Sequence, residues 1–198
     1  MGTFKRVSAY LPPLSIALLA LAFHALGDGG LQALRYHRQA IAEGEIWRLV
    51  TGHLVHLNTA HLAGNLAGLA IIWLLVAPAL SANVALLMLF GAAIACDLGL
   101  WIFNPELLWY VGLSGALHGL LLAGALVLAR QQRWTGLGIA ALVIAKLLWE
   151  QVNGPLPSSE AMIQNSVVVD AHLYGAIGGV ATIYVIELIQ RWRRNLAG

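Results

Sequence analysis

The chain has 198 residues, 60% of them hydrophobic and 10% charged, with a mean hydropathy of +0.78 and a formal net charge of +2. Soluble domains carry about a quarter charged residues and about half apolar ones, so a soluble fold of this length cannot hide so much apolar surface and the surrounding medium is lipid. No basic run points to nucleic acid, no Gly-rich phosphate loop is present, and Cys96 as the single cysteine excludes an intramolecular disulfide and a Cys-based zinc site.

A helix needs about 20 apolar residues to cross a bilayer, with a range near 17–25. Six stretches qualify, roughly 8–26, 57–77, 82–103, 113–130, 135–151 and 166–190. They predict an all-α membrane protein, a six-transmembrane-helix bundle forming one domain over 1–198 with its core at about 45–190. Lys5 and Arg6 ahead of the first stretch invite a signal-peptide reading. No small-residue cleavage site stands out, and even topology needs this stretch as a span. Breakers separate the rest: Asp28-Gly29-Gly30, Pro78 with Ser81 and Asn83, Asn104-Pro105, Arg130-Gln131-Gln132-Arg133, and Asn153-Gly154-Pro155-Leu156-Pro157. Segment 27–56 holds Arg35, Tyr36, His37, Arg38, Trp47 and Arg48, and fits an interfacial first outer loop with short amphipathic helices.

Cytoplasmic loops are enriched in Lys and Arg. With both termini inside, the inner face holds Lys5, Arg6, Arg130, Arg133, Arg191, Arg193 and Arg194. The outer face then holds only Arg35, Arg38 and Arg48, offset by Asp28, Glu43, Glu45 and Glu106. In this orientation spans two, four and six start outside. Span two opens with His53, His56, His61 and Asn65, span four with Ser114, and span six with Asp170 and His172. Polar side chains at bilayer depth are expensive and mark function. A serine and a histidine are the minimum for a hydroxyl nucleophile and its base.

Gly115 and Gly119 are four apart, as are Gly175 and Gly179, and Gly64 and Gly68. Small residues at this spacing let membrane helices approach closely, which would bring Ser114 to His172. Ser114 opens a helix, where free N–H groups and the positive dipole end favour an anion. His61 and Asn65, one turn apart on one face, offer further donors to an oxyanion. Taken singly, each of these residues reads as packing or as an interhelical hydrogen bond.

These residues resemble the rhomboid family of intramembrane serine proteases. Glu45-Ile46-Trp47-Arg48 followed by Thr51 is similar to the family's Trp-Arg loop motif. His56, His61 and Asn65 keep its His-x4-His-x3-Asn spacing, Gly112-Leu113-Ser114-Gly115 its GxSG motif, and Ala171-His172-x2-Gly175-x3-Gly179 its AHxxGxxxG motif. The resemblance runs from about residue 45 to 185 and implies a rhomboid-like six-helix bundle. It also implies Ser114 as nucleophile and His172 as general base, a dyad without a carboxylate. The oxyanion hole would be the Ser114 N–H with the side chains of His61 and Asn65. His56, Trp47 and Arg48 would shape the outer loop. Two positions depart from the family pattern: His118 stands where an aromatic, typically Tyr, stacks on the base, and Gly52 stands where proline is common.

The short chain without soluble appendages, and the Gly112–Gly119 stretch containing His118, look most like the rhombosortase subfamily. That likeness implies a bacterial inner-membrane enzyme, its site opening to the periplasmic side. Its partner would be a transmembrane protein substrate with a C-terminal Gly-Gly anchor, resolved by water or by an amine. No cofactor, metal or nucleic acid is implied. A non-catalytic rhomboid-like protein that binds membrane clients is the alternative. A metal or haem reading of His53, His56 and His61 lacks a matching His pair on a facing helix. Lys146 and Glu150 are four apart on span five and read as a structural ion pair, with Asp97 on span three as a further partner for Lys146. Asp170, two residues before His172, reads as a group at the helix entrance, with a third catalytic member as the less favoured alternative.

Overall fold

The computed structural model describes residues 9–76 and 79–197; Lys5, Arg6 and Pro78 lie outside the described residues. In chain order the elements are α1 (Leu11–His24), α2 (Gly27–Leu34), β1 (Tyr36–His37), α3 (Arg38–Ala42), α4 (Arg48–Thr51) and α5 (Thr59–Val76). They continue with α6 (Ala82–Phe103), β2 (Trp109–Tyr110), α7 (Ser114–Leu128), α8 (Arg133–Asn153), α9 (Pro157–Ile163) and α10 (Val169–Ala197).

Helices α5, α6, α8 and α10 are each long and apolar enough to cross a bilayer, and α1 with α2 makes a fifth candidate that bends by 116°. Among the described residues the expected six spans are therefore not all present as membrane-length helices. The first helix ends at His24, and Gly27 opens the next with a φ of 64°. Helix α7 has 15 residues, about 22 Å at ~1.5 Å per residue, against a hydrocarbon core of about 30 Å. Its apolar stretch includes a non-helical entry at 111–113 and a turn after Leu128, which hydropathy does not distinguish from helix. The outer faces of the long helices are apolar too: Leu142 is 73% exposed and Val152 83%. That pattern, apolar all round, belongs to a lipid-facing bundle, and the chain is a multi-pass membrane protein.

Helix α10 packs against α6, α7 and α8, and α7 against α5, α6 and α8. The main core joins Leu69, Trp73 and Val76 of α5 to Met88 and Ala92 of α6, Leu117 and Leu120 of α7, and Ile183 of α10. Helices α7 and α10 touch backbone to backbone. A Cβ on Gly175 would stand 2.0 Å from the Gly115 carbonyl oxygen, and one on Gly179 would stand 2.3 Å from that of Gly119. Gly64 and Gly68, in contrast, line a cavity beside α7.

The segment between α2 and α5 is not purely helical. Strand β1 pairs antiparallel with β2, Tyr36 opposite Tyr110 and His37 opposite Trp109. Two arginines organise this region. The Arg38 guanidinium donates to the carbonyls of Leu100 at 2.6 Å and Asn104 at 2.9 Å, the open C-terminal end of α6. Arg48 is buried; it donates to the carbonyls of Gln32 at 2.9 Å and Arg35 at 3.0 Å, and pairs with Glu45 at 2.6 Å. Thr51 Oγ1 donates to the Leu34 carbonyl at 2.5 Å. Trp47, its neighbour in the motif, is 50% exposed. Arg48 and Thr51 thus hold the loop, and Trp47 projects from it.

Asp97 has a different partner from the one its span suggests. His53 Nε2 lies 3.2 Å from Asp97 Oδ1, so the carboxylate faces the outer loop and not Lys146. Asp170 accepts from Asn104 Nδ2 at 2.6 Å, and Tyr174 donates to Asn104 Oδ1 at 2.9 Å. These contacts anchor the start of α10 to the end of α6.

Candidate active site

Ser114 is the first residue of α7, and its N-cap Leu113 has no side-chain cap. The N–H groups of a helix's first turn have no intrahelical acceptor, so this end is open to an anion. The turn into it is built by Gly112, with φ of 108°; a Cβ there would stand 2.7 Å from His61 Nε2. Only glycine fits both conditions. The Gly112 N–H donates to the Gly52 carbonyl and its carbonyl accepts from the Tyr110 hydroxyl, each at 3.0 Å. Gly52 has its own reason to lack a side chain, since a Cβ would stand 2.7 Å from the Tyr36 nitrogen. Its N–H also donates to the Arg48 carbonyl at 3.0 Å, a bond proline would forfeit.

His172 lies in the first turn of α10 and is buried. Its Nε2 is 3.0 Å from Ser114 Oγ, joining two helices whose glycines permit the approach. Its Nδ1 is 2.9 Å from Glu150 Oε2. Glu150, near the end of α8, is 1% exposed, and its other oxygen accepts from Lys146 Nζ at 2.6 Å. The expected ion pair with Lys146 is present, but sequence position alone gave Glu150 no contact with His172. The pointer was available: span five runs outward, so its last turn returns to the level where spans four and six begin.

The remaining candidates fall around this pair. His118, one turn after Ser114, stacks on His172 with centroids 4.2 Å apart and planes 20° apart. Its Nδ1 is 2.7 Å from the Ser114 carbonyl oxygen; a carbonyl only accepts, so Nδ1 carries a proton. His61 and Asn65, both buried on α5, line the same cavity as Ser114 and His172. His61 Nδ1 faces the Leu57 N–H at 3.5 Å, which leaves Nε2 as the protonated nitrogen beside Gly112. Asn65 Nδ2 donates to the His61 carbonyl at 3.2 Å, leaving its second N–H free to donate. His56, in the loop before α5, packs edge-on against His61 with centroids 5.0 Å apart. Burial, with His61 nearby, pushes the His56 imidazole down to about 3.

The cavity measures about 520 Å³ and is walled mainly by apolar groups, with Ser114, His172, His61, Asn65, His118 and Lys146 among its polar points. Residues of α9 and the irregular run after it, Ile163 and Val168 among them, close one side. Asn58 ties this side to α5: its amide donates to the Ile163 carbonyl at 2.9 Å, and its Oδ1 accepts from the His61 N–H at 2.8 Å.

Ligand atoms of His118, Glu150 and His172 gather within 4.8 Å of one another. The arrangement does not suit a metal. Ring-nitrogen lone pairs lie in the ring plane, and two stacked rings with centroids 4.2 Å apart keep theirs in nearly parallel planes. They do not converge on a point about 2.1 Å from both. What the arrangement offers is a hydroxyl, a base with a free lone pair aimed at it, and an N–H-rich helix end beside a sheltered cavity.

Residues 43–188 match the protein-family model for the Rhomboid domain. Over 143 residues the chain is 28% identical to "Putative rhomboid protease YdcA" of Bacillus subtilis (strain 168), covering 70% of this chain and 66% of that relative, just under two thirds of its length. With the family match spanning most of the molecule, the chain belongs to the rhomboid family.

Proposed function

We propose that this protein is an intramembrane serine endopeptidase with Ser114 as nucleophile and His172 as general base. The observation that carries the reading is the 3.0 Å contact of Ser114 Oγ with His172 Nε2 at the wall of a half-enclosed cavity. His172 Nε2 takes the Ser114 proton as Oγ attacks the scissile carbonyl. The negative charge collects on the carbonyl oxygen, where the Ser114 N–H, His61 Nε2–H and Asn65 Nδ2–H donate to it. Protonated His172 then gives its proton to the leaving amine. Water, deprotonated by the same nitrogen, releases the acyl-enzyme. His56 and Arg48 shape the loop above the site, Trp47 projects from that loop, and Gly112, Gly115, Gly175 and Gly179 set the backbone distances.

The substrate we propose is a single transmembrane helix whose end unwinds into the cavity. The His118 signature supports a rhombosortase-like specificity for exported proteins anchored by a C-terminal Gly-Gly motif, apolar helix and basic tail. The charge bias supports a bacterial inner membrane with both termini cytoplasmic, the first outer loop interfacial and the site opening to the periplasm. Co-expression with such an anchored substrate tests this. Wild type is expected to release the anchor, with Ser114→Ala and His172→Ala leaving it intact. An uncut Gly-Gly anchor beside a cleaved ordinary transmembrane helix would sink the subfamily assignment. Client binding without any cleavage would favour a non-catalytic role.

A further inference from the structure

Resting on the serine-protease reading, we propose that Glu150 is a positioning residue for the reaction, converting the Ser114–His172 pair into a Ser114–His172–Glu150 triad. A neutral imidazole carries one proton on one of its two nitrogens. It can accept from Ser114 only if that proton sits on Nδ1 and Nε2 is bare. Among the described residues, the one carboxylate oxygen within reach of Nδ1 is Glu150 Oε2, at 2.9 Å. A carboxylate accepts and never donates, so this contact fixes the Nδ1–H tautomer and aims the Nε2 lone pair at Ser114 Oγ, 3.0 Å away.

The burial of Glu150 argues in the same direction. A carboxylate that served only Lys146, one turn back on its own helix, could sit at the helix surface in lipid headgroups. Glu150 is instead 1% exposed and turned toward α10. Charge at this depth is costly unless it has a specific partner. Lys146, itself 31% exposed, takes the opposite oxygen at 2.6 Å. That second bond fixes the rotation of the carboxylate, so Oε2 faces His172. The imidazole is then held on three sides: by Glu150 at Nδ1, by His118 on its face and by Ser114 at Nε2. As Oγ bonds to carbon, the serine proton moves to Nε2 and the imidazolium gains an anionic neighbour. The Nδ1 proton stays where it is, and none passes to Glu150.

The test measures how fast an alkyl fluorophosphonate modifies the serine of the full-length protein in lipid nanodiscs. Four forms are compared: wild type, Glu150→Gln, His172→Ala and the double variant. The proposal expects Glu150→Gln to slow wild-type labelling by about 10²–10⁴-fold and to change nothing further in the His172→Ala background, because residues acting through one another are non-additive. A purely structural Glu150 would slow both backgrounds alike, and that result overturns the proposal. Equal rates for wild type and Glu150→Gln overturn it too, with the protease reading intact. An unlabelled wild type overturns both. Should Glu150→Gln fail to fold, imidazole nitrogen NMR of the wild-type protein decides. His172 is expected as the Nδ1–H tautomer, and the Nε2–H tautomer would refute the assignment.

Discussion

The ring of His118 lies flat against the ring of His172, 4.2 Å between centroids and 20° from parallel. The two residues come from different helices, α7 and α10, and the stack holds the face of the proposed base, whose edge points at Ser114. Offset aromatic stacking contributes about 0.5–1.5 kcal/mol beyond burial. His118→Ala is expected to lower kcat/KM by up to about 10-fold, since about 1.4 kcal/mol corresponds to a factor of ten. His118→Tyr keeps a stacking face at the same position and is expected to stay within about 3-fold of wild type. Steady-state cleavage of one peptide substrate by the three proteins checks both.

The proposed oxyanion donors would act on charge that develops only as the bond is attacked. Removing one such donor costs about 10²–10³ in kcat. Asn65→Ala is expected to fall in this range with KM nearly unchanged, because the ground-state substrate carries no oxyanion. A rise in KM at constant kcat would place Asn65 in substrate binding instead.

The contact between α7 and α10 depends on bare backbone. A methyl on Gly175 would meet the Gly115 carbonyl oxygen at 2.0 Å and Cys96 Sγ at 3.0 Å. Gly175→Ala is therefore expected to destabilise by about 1–3 kcal/mol and to move His172 away from Ser114. Gly138, where a Cβ meets nothing, serves as the control. Thermal unfolding in detergent should fall for Gly175→Ala and hold for Gly138→Ala.

His56 gives a pH dependence of defined sign. Burial lowers its imidazole to about 3, against about 6.5 for a free histidine. Between these values the unfolded chain takes up a proton that the folded one refuses. Stability is therefore full above pH ~6.5 and declines as the pH falls toward 3, by up to about 1.4 kcal/mol per unit from this residue. Replacing His56 by Phe, which cannot titrate, should flatten the drop in unfolding midpoint between pH 6.5 and 4.5.

Much of the site was legible because its signals are local. Glycine at four-residue spacing, serine at a helix start and histidine near another are visible without a fold, and the packing of α7 on α10 places them at 3.0 Å. Partners set by three-dimensional packing were not legible. Lys146 and Glu150 are spaced for a helical pair, and nothing local says that the other oxygen of Glu150 reaches α10. Asp97 looked like a partner for Lys146 because both lie on spans, yet a loop histidine, His53, reaches it. The β1–β2 ribbon is two residues on each side, too short for an alternating pattern to register. Helix length failed where apolar residues lie in irregular or turning backbone, as at the two ends of α7.

The most direct measurement of the central claim needs no known substrate. Wild type, Ser114→Ala and His172→Ala are treated with a fluorophosphonate in lipid, digested and mapped by peptide mass spectrometry. A nucleophile–base pair predicts one adduct, on Ser114, absent from Ser114→Ala and strongly reduced in His172→Ala. An unmodified wild type, or an adduct that persists in Ser114→Ala, would contradict it.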